Sequence, residues 1–210
     1  MTKLLTSLTA VAVAAAAVAF FVIAQPHAHA AENATIGEAA PDFTLKNVVT
    51  GEDVALADHQ GKVTVLIFHS TSCPWYRMRE DGGYDRVFVK TAEAYKDKDV
   101  AFIGINSNRT DSTEKVKAYV EKHNINYTVV KDPNNVIADA YQAKVTPHVF
   151  VVGKDGKLAY KGGVEERPSN PKACGDSDVQ YLGPAIDALL EGSEVEVQET
   201  KPVGCSIKRV

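Results

Sequence analysis

Two hydrophobic periods divide the chain into strands and helices. Residues 62–68 form a largely apolar run rich in β-branched side chains, the pattern of a strand buried on both faces. Residues 100–106 repeat it, and residues 127–130 form a shorter run. Helical spacing appears between these runs. Asp111 with Glu114 three residues later has the form of a capping box, opening a helix that carries Val116, Tyr119 and Val120 on one face. Pro74 suits a first helical turn, where no amide hydrogen is needed, and predicts a helix that breaks at Gly82 and Gly83 and continues to Lys96. Asp132 and Pro133 start another through Ile137 and Tyr141. Thr146 and Pro147 lead into a strand over 148–152, and Lys154, Asp155 and Gly156 turn the chain into a hairpin strand over 157–161. A last helix spans 181–190, followed by a tail of weak periodicity over 192–210. Upstream, residues 42–46 and 53–56 bracket Thr50 and Gly51 as a hairpin. Strands alternating with helices and closing on a hairpin predict an α/β fold: a central mixed sheet, helices on both faces, and an N-terminal hairpin extension.

The first residues obey neither period. Lys3 precedes an apolar or small-residue run to Ala24, then Gln25, Pro26 and the stretch from His27 to Ala31. That order is a secretory signal peptide, with cleavage placed after Ala30; the alternative is an uncleaved anchor. Residues 31–210 then form one domain, exported to the periplasm or secreted, with no membrane attachment after cleavage. The formal net charge of −4 is small and no basic block occurs, which argues against nucleic acid as a partner.

Export alters the meaning of the three cysteines, Cys73, Cys174 and Cys205, because accessible thiols there tend to pair. Cys73 follows a buried strand and precedes the predicted helix, where free amides and the helix dipole would favour thiolate. Ser70, Thr71 and Ser72 add hydroxyls directly before it. Arg109, past the end of the second buried strand, and Arg77, one turn after Cys73, are the candidate cations.

Cys73-Pro74-Trp75-Tyr76 after an apolar strand, Thr146-Pro147 before a later one, and the Gly153 to Gly156 turn resemble landmarks of the thioredoxin superfamily. The run Gly104 to Asn108 and the ending Thr200 to Lys208 are most similar to the peroxiredoxin-like branch of the alkyl hydroperoxide reductase and thiol-specific antioxidant (redoxin) family. The similarity covers nearly everything from Ala40 onward. It implies a thioredoxin fold, with Pro147 matching the cis-proline that faces the reactive cysteine. It also implies an antioxidant oxidoreductase that reduces hydrogen peroxide or organic hydroperoxides through Cys73. Ser70 and Arg109 would be its catalytic partners, Thr71, Thr146 and Pro147 would position substrate, and a protein or small-molecule thiol would return the electrons. No cofactor is implied. The chain departs from the pattern at three places. Tyr76 stands where a local dithiol has its second cysteine, and Ser70 and Leu66 stand where a peroxiredoxin has threonine and proline.

Two readings of the other thiols remain. Cys174 and Cys205 form a structural disulfide that leaves Cys73 free, the favoured pairing, or Cys205 resolves a sulfenic acid formed at Cys73. The runner-up function is a binding module holding copper or a partner protein through Cys73, His69 and His148.

Overall fold

The structure is a computed structural model of the chain and describes residues 33–77, 83–166, 168 and 170–210. The expected signal peptide lies outside the described residues.

Seven strands make the central sheet, in the order β2-β1-β5-β4-β3-β7-β8. β1 (Thr44–Asn47) and β2 (Asp53–Ala55) are the expected hairpin, and β1 docks antiparallel on β5 (Thr128–Lys131). β3 (Val63–His69) and β4 (Val100–Asn106) pair in parallel from Val63↔Val100 to His69↔Asn106, with β5 parallel beyond β4. β7 (His148–Val152) returns antiparallel on the other side of β3, and β8 (Leu158–Gly162) completes that edge. The architecture is the thioredoxin fold expected from the sequence.

Alternation along β3 sorts its side chains into two layers. Val63, Val65 and Ile67 join Phe88, Leu182 and Ile186 on the face covered by α1 (Tyr84–Ala94) and α4 (Leu182–Glu191). Leu66 and Phe68 join Ile103, Ile105 and Phe150 beneath α3 (Val136–Ala140). Every residue of β3 is buried, which is why its sequence is mostly apolar, with only Thr64 and His69 polar, rather than alternating. Each fully buried Val, Ile, Leu or Phe contributes about 1.5–3 kcal/mol, so this strand anchors both layers. Val116 and Val120 of α2 (Thr113–Lys122) pack on Val129 and Val48.

Two local expectations are corrected. The cap of α2 is Ser112, whose Oγ accepts from Lys115 N at 3.2 Å, so Asp111 is not the capping residue. The C-terminal tail is not loose. Lys161 N donates to Gln198 O and Thr200 N to Lys161 O, laying the tail along β8. It then forms β9 (Cys205–Ser206), antiparallel to β6 (Val145–Thr146), with Thr146 opposite Cys205. Ile207 N donates to Lys144 O, Lys208 O accepts from Arg109 N, and Arg209 pairs with Asp139, so the backbone groups that weak periodicity left unassigned find partners here.

Candidate functional site

Beyond His69 the chain leaves β3 and folds into consecutive turns. Cys73 N donates to Ser70 O, and the amides of Tyr76 and Arg77 both donate to Cys73 O, at 3.1 and 2.9 Å. Residues 74–77 therefore make one turn, and α1 begins only at Tyr84. The first amides of α1 are taken by that turn, since Tyr84 N donates to Trp75 O and Asp85 N to Tyr76 O, each at 2.9 Å. The expected placement of Cys73 at the amino end of this helix is thus corrected: carbonyls of the next residues occupy the positive end of its dipole. The Cys73 sulfur faces another carbonyl. Its thiol donates to Thr146 O at 2.9 Å, next to the cis Thr146–Pro147 peptide, and the residue is only 2 % exposed.

A carboxylate organises the approach to Cys73. Asp111, fully buried, accepts from Ser70 Oγ at 2.7 Å and Thr71 N at 3.0 Å through one oxygen, and from Ser72 Oγ and Lys115 Nζ at 2.7 Å through the other. Asn106 Nδ2 adds a longer contact at 3.3 Å. Burial would raise the carboxyl's pKa, but hydrogen bonds from Lys115, Ser70, Ser72 and Asn106 outweigh it and hold the group well below the usual carboxylate range. Lys131, whose Nζ donates to Asn106 Oδ1 and Asn108 O, braces the same network.

This network employs Ser70. Its hydroxyl donates to Asp111 and accepts from Asn108 Nδ2 at 2.6 Å and Ser72 N at 3.2 Å, which uses one donor and two lone pairs. No capacity is left for orienting a peroxide. Thr71 differs, because its Oγ1 is buried with no partner among the described residues. Arg109 and Arg77 are exposed, with no side-chain hydrogen bond or ion pair among the described residues; Arg109 is tied through its backbone to Lys208.

Cys205 is the residue that the fold brings to Cys73. Its pairing with Thr146 sets its thiol beside the Cys73 thiol, and burial together with hydrogen bonding to Cys73 pushes its pKa up to about 11. Cys205 is half-buried, so it is the more accessible of the two. The favoured Cys174–Cys205 pairing is not formed. All three thiols are free, and Cys174 is fully buried with its sulfur 3.9 Å from Trp75 O. Burial and Glu165 push its pKa up to about 12.

The histidines do not converge. Phe68 lies opposite His148 in the β3–β7 register, so those side chains share a face while His69, one residue on, points to the other layer. His69 stacks on Tyr76 with ring centroids 4.6 Å apart, and burial lowers its pKa to about 3. His148 packs against Phe150 with the rings tilted by 41°, and burial lowers its pKa to about 4. A ligand set of Cys73, His69 and His148 is therefore corrected, because the sheet separates its two imidazoles. Tyr76, where a local second cysteine would sit, is buried and shares a hydrogen bond with Tyr127 at 2.9 Å.

Asp111, Asn108 and Lys115 were not singled out as site residues from sequence. Asp111 resembles an ordinary helix cap, and only the adjacent Ser112, equally able to cap, hints that the carboxylate is spare.

The chain is similar to known proteins in sequence and fold. The AhpC/TSA family profile matches residues 36–161. The thiol-disulfide oxidoreductase ResA of Halalkalibacterium halodurans is 27% identical over 136 residues, covering 64% of this chain and 73% of that protein. The peroxiredoxin Bcp of Bacillus subtilis is 28% identical over 135 residues, 59% of this chain and 81% of that one. A solved structure of an uncharacterized conserved protein from Geobacillus kaustophilus superposes with a TM-score of 0.73 at 32% identity, covering 83% of this chain and 92% of that one.

Proposed function

The chain belongs to the AhpC/TSA family, and on that premise we propose that it is an exported thiol-disulfide oxidoreductase whose redox couple is the non-local pair Cys73 and Cys205. One observation carries the reading: the Cys205 thiol stands beside the Cys73 thiol, held there by the β6–β9 pairing. The pair supplies what Tyr76 denies a local dithiol. Export rests on the leader expected over residues 1–30, and it suits a protein whose thiols cycle in an oxidising compartment.

The greater exposure of Cys205 supports one order of attack. Cys205, as thiolate, attacks a disulfide of the partner, forming a mixed disulfide and releasing one partner thiolate that takes up a proton. Cys73 then attacks the Cys205 sulfur, closing the Cys73–Cys205 disulfide and releasing the second thiol. The protein has lost two electrons and the partner has gained them. Reversal by a dithiol donor restores the start. The buried Cys73 meets only its own partner sulfur.

A second reading takes a hydroperoxide as acceptor, and the unpartnered Thr71 hydroxyl, two residues before Cys73, favours it. Cys73 thiolate attacks the terminal oxygen, the O–O bond breaks, and the leaving oxygen is protonated to water or alcohol. The sulfenic acid then condenses with the Cys205 thiol to the same disulfide, releasing water. Thr71 here takes the positioning role expected of Ser70.

Trapping separates the two routes. Cys73→Ser should accumulate a mixed disulfide with oxidised glutathione at Cys205, and peptide mapping of oxidised wild type should find Cys73 linked to Cys205. A Cys174–Cys205 link would overturn the couple. Accumulation of mixed disulfide in Cys205→Ser but not in Cys73→Ser, with peroxide consumed faster than oxidised glutathione, would replace the first route by the second.

A further inference from the structure

Beside β6 and the C-terminal tail opens a cleft of about 590 Å³, within the range of small-molecule sites. One wall is Lys144 with the start of β6 at Val145, the other is the tail from Glu199 to Pro202, and His148 and Lys161 belong to the sheet between them. Lys161 lies opposite Phe150 in the β7–β8 register, so it shares a sheet face with His148, two residues before Phe150.

Charge and polarity in the cleft are one-sided. Three ammonium groups line it against one carboxylate, Glu199, although the chain as a whole is acidic. Lys161 Nζ pairs with Glu199 at 3.5 Å, whereas Lys144 and Lys201 make no ion pair among the described residues. Glu199 shows that the cleft receives a carboxylate, and its exposed, long contact is one that a better-placed anion can replace. His148 is 7 % exposed and its Nδ1 has no partner among the described residues, a polar atom that a wall built only for apolar contact would not carry. The ring stays neutral near pH 7, because burial and the two nearby lysines, Lys161 and Lys144, depress its pKa to about 4, so it brings no charge of its own. Val145 and Pro202 supply apolar surface.

We propose that this cleft binds a small organic carboxylate, its anionic end among Lys144, Lys161 and Lys201 and its apolar body against Val145, Pro202 and the His148 ring. A ligand there bridges the two segments, the tail and β6, whose pairing keeps Cys205 at Thr146. Binding is independent of the redox reading, since it needs no turnover.

Calorimetric titration of the reduced protein with phenylacetate, alongside uncharged 2-phenylethanol of the same shape, tests this. Phenylacetate should bind saturably at one site and 2-phenylethanol should not. Lys144→Gln with Lys201→Gln should weaken phenylacetate at least about fivefold, and raising salt to about 150 mM should weaken it further. Both lysines are exposed, so an unchanged melting temperature verifies the fold, and Lys161→Gln gives a second variant of the same site. Equal binding of the two probes, failure to saturate at millimolar concentration, or affinity untouched in both lysine variants would overturn the assignment.

Discussion

Asp111→Asn should destabilise the protein by about 3 kcal/mol near neutral pH. The buried carboxylate accepts hydrogen bonds from two hydroxyls, one backbone amide, one carboxamide and one ammonium. Asparagine keeps the shape but presents an amide NH₂ where one of the two accepting oxygens stood, and it removes the charge that strengthens the rest. Hydrogen bonds to a charged group are worth about 1.5–3 kcal/mol each against about 0.5–1.5 for neutral ones, and breaking a buried pair costs about 3–5 kcal/mol. Partial relaxation of half-exposed Lys115 keeps the expected loss at the lower end. On a chain of this size that is a fall in Tm of about 6–12 °C. The pH profile supplies the sharper check. The folded carboxyl titrates below its unfolded value of about 3.9, so the folded state binds fewer protons and the contribution is fully present above about pH 4. It is lost as pH falls through the folded pKa. Urea unfolding at pH 7 and at successively lower pH should therefore show wild type and variant far apart at neutrality and converging in acid. Ser112→Ala, which removes the helix cap and a hydrogen bond to the exposed Glu114 carboxylate, should cost about 1 kcal/mol with much weaker convergence. A neutral-pH loss under about 0.5 kcal/mol for Asp111→Asn, or a constant gap across pH, would refute the placement of the charge.

Two further outcomes follow from the tail. Gly204→Ala would set a Cβ against the Thr146 carbonyl and within 2.5 Å of its carbon, so it should prise β9 from β6, slow formation of the Cys73–Cys205 disulfide at least about tenfold, and leave Cys174 unreactive; time-resolved thiol counting after addition of oxidised glutathione reads this. Because the Cys205 thiol is raised to about 11, its alkylation by iodoacetamide should accelerate about tenfold per pH unit from pH 7 toward that value, and a plateau near pH 8.5 would contradict the burial assigned to it.

The strands and helices were legible because each is encoded by neighbours in sequence. β3 announces itself by seven consecutive buried residues, and α2 by Val116 and Val120 at helical spacing. The importance of residues 69–77 was legible too, from a cysteine and proline after a buried strand. The electrostatics of that segment were not. Asp111 reaches Ser70 across 41 positions, and nothing local distinguishes a carboxylate that caps a helix from one that turns inward to hold a loop. Thr146 meets Cys73 across 73 positions, and Cys205 arrives only because a tail of weak periodicity finds unpaired backbone on β8 and β6. Short-range side-chain pattern, then, determined the sheet, its helices and the loop after β3 that carries Cys73. Long-range backbone pairing decided which thiol stands next to it, because hydrogen bonds between distant segments depend on where free amides and carbonyls end up after the core has packed.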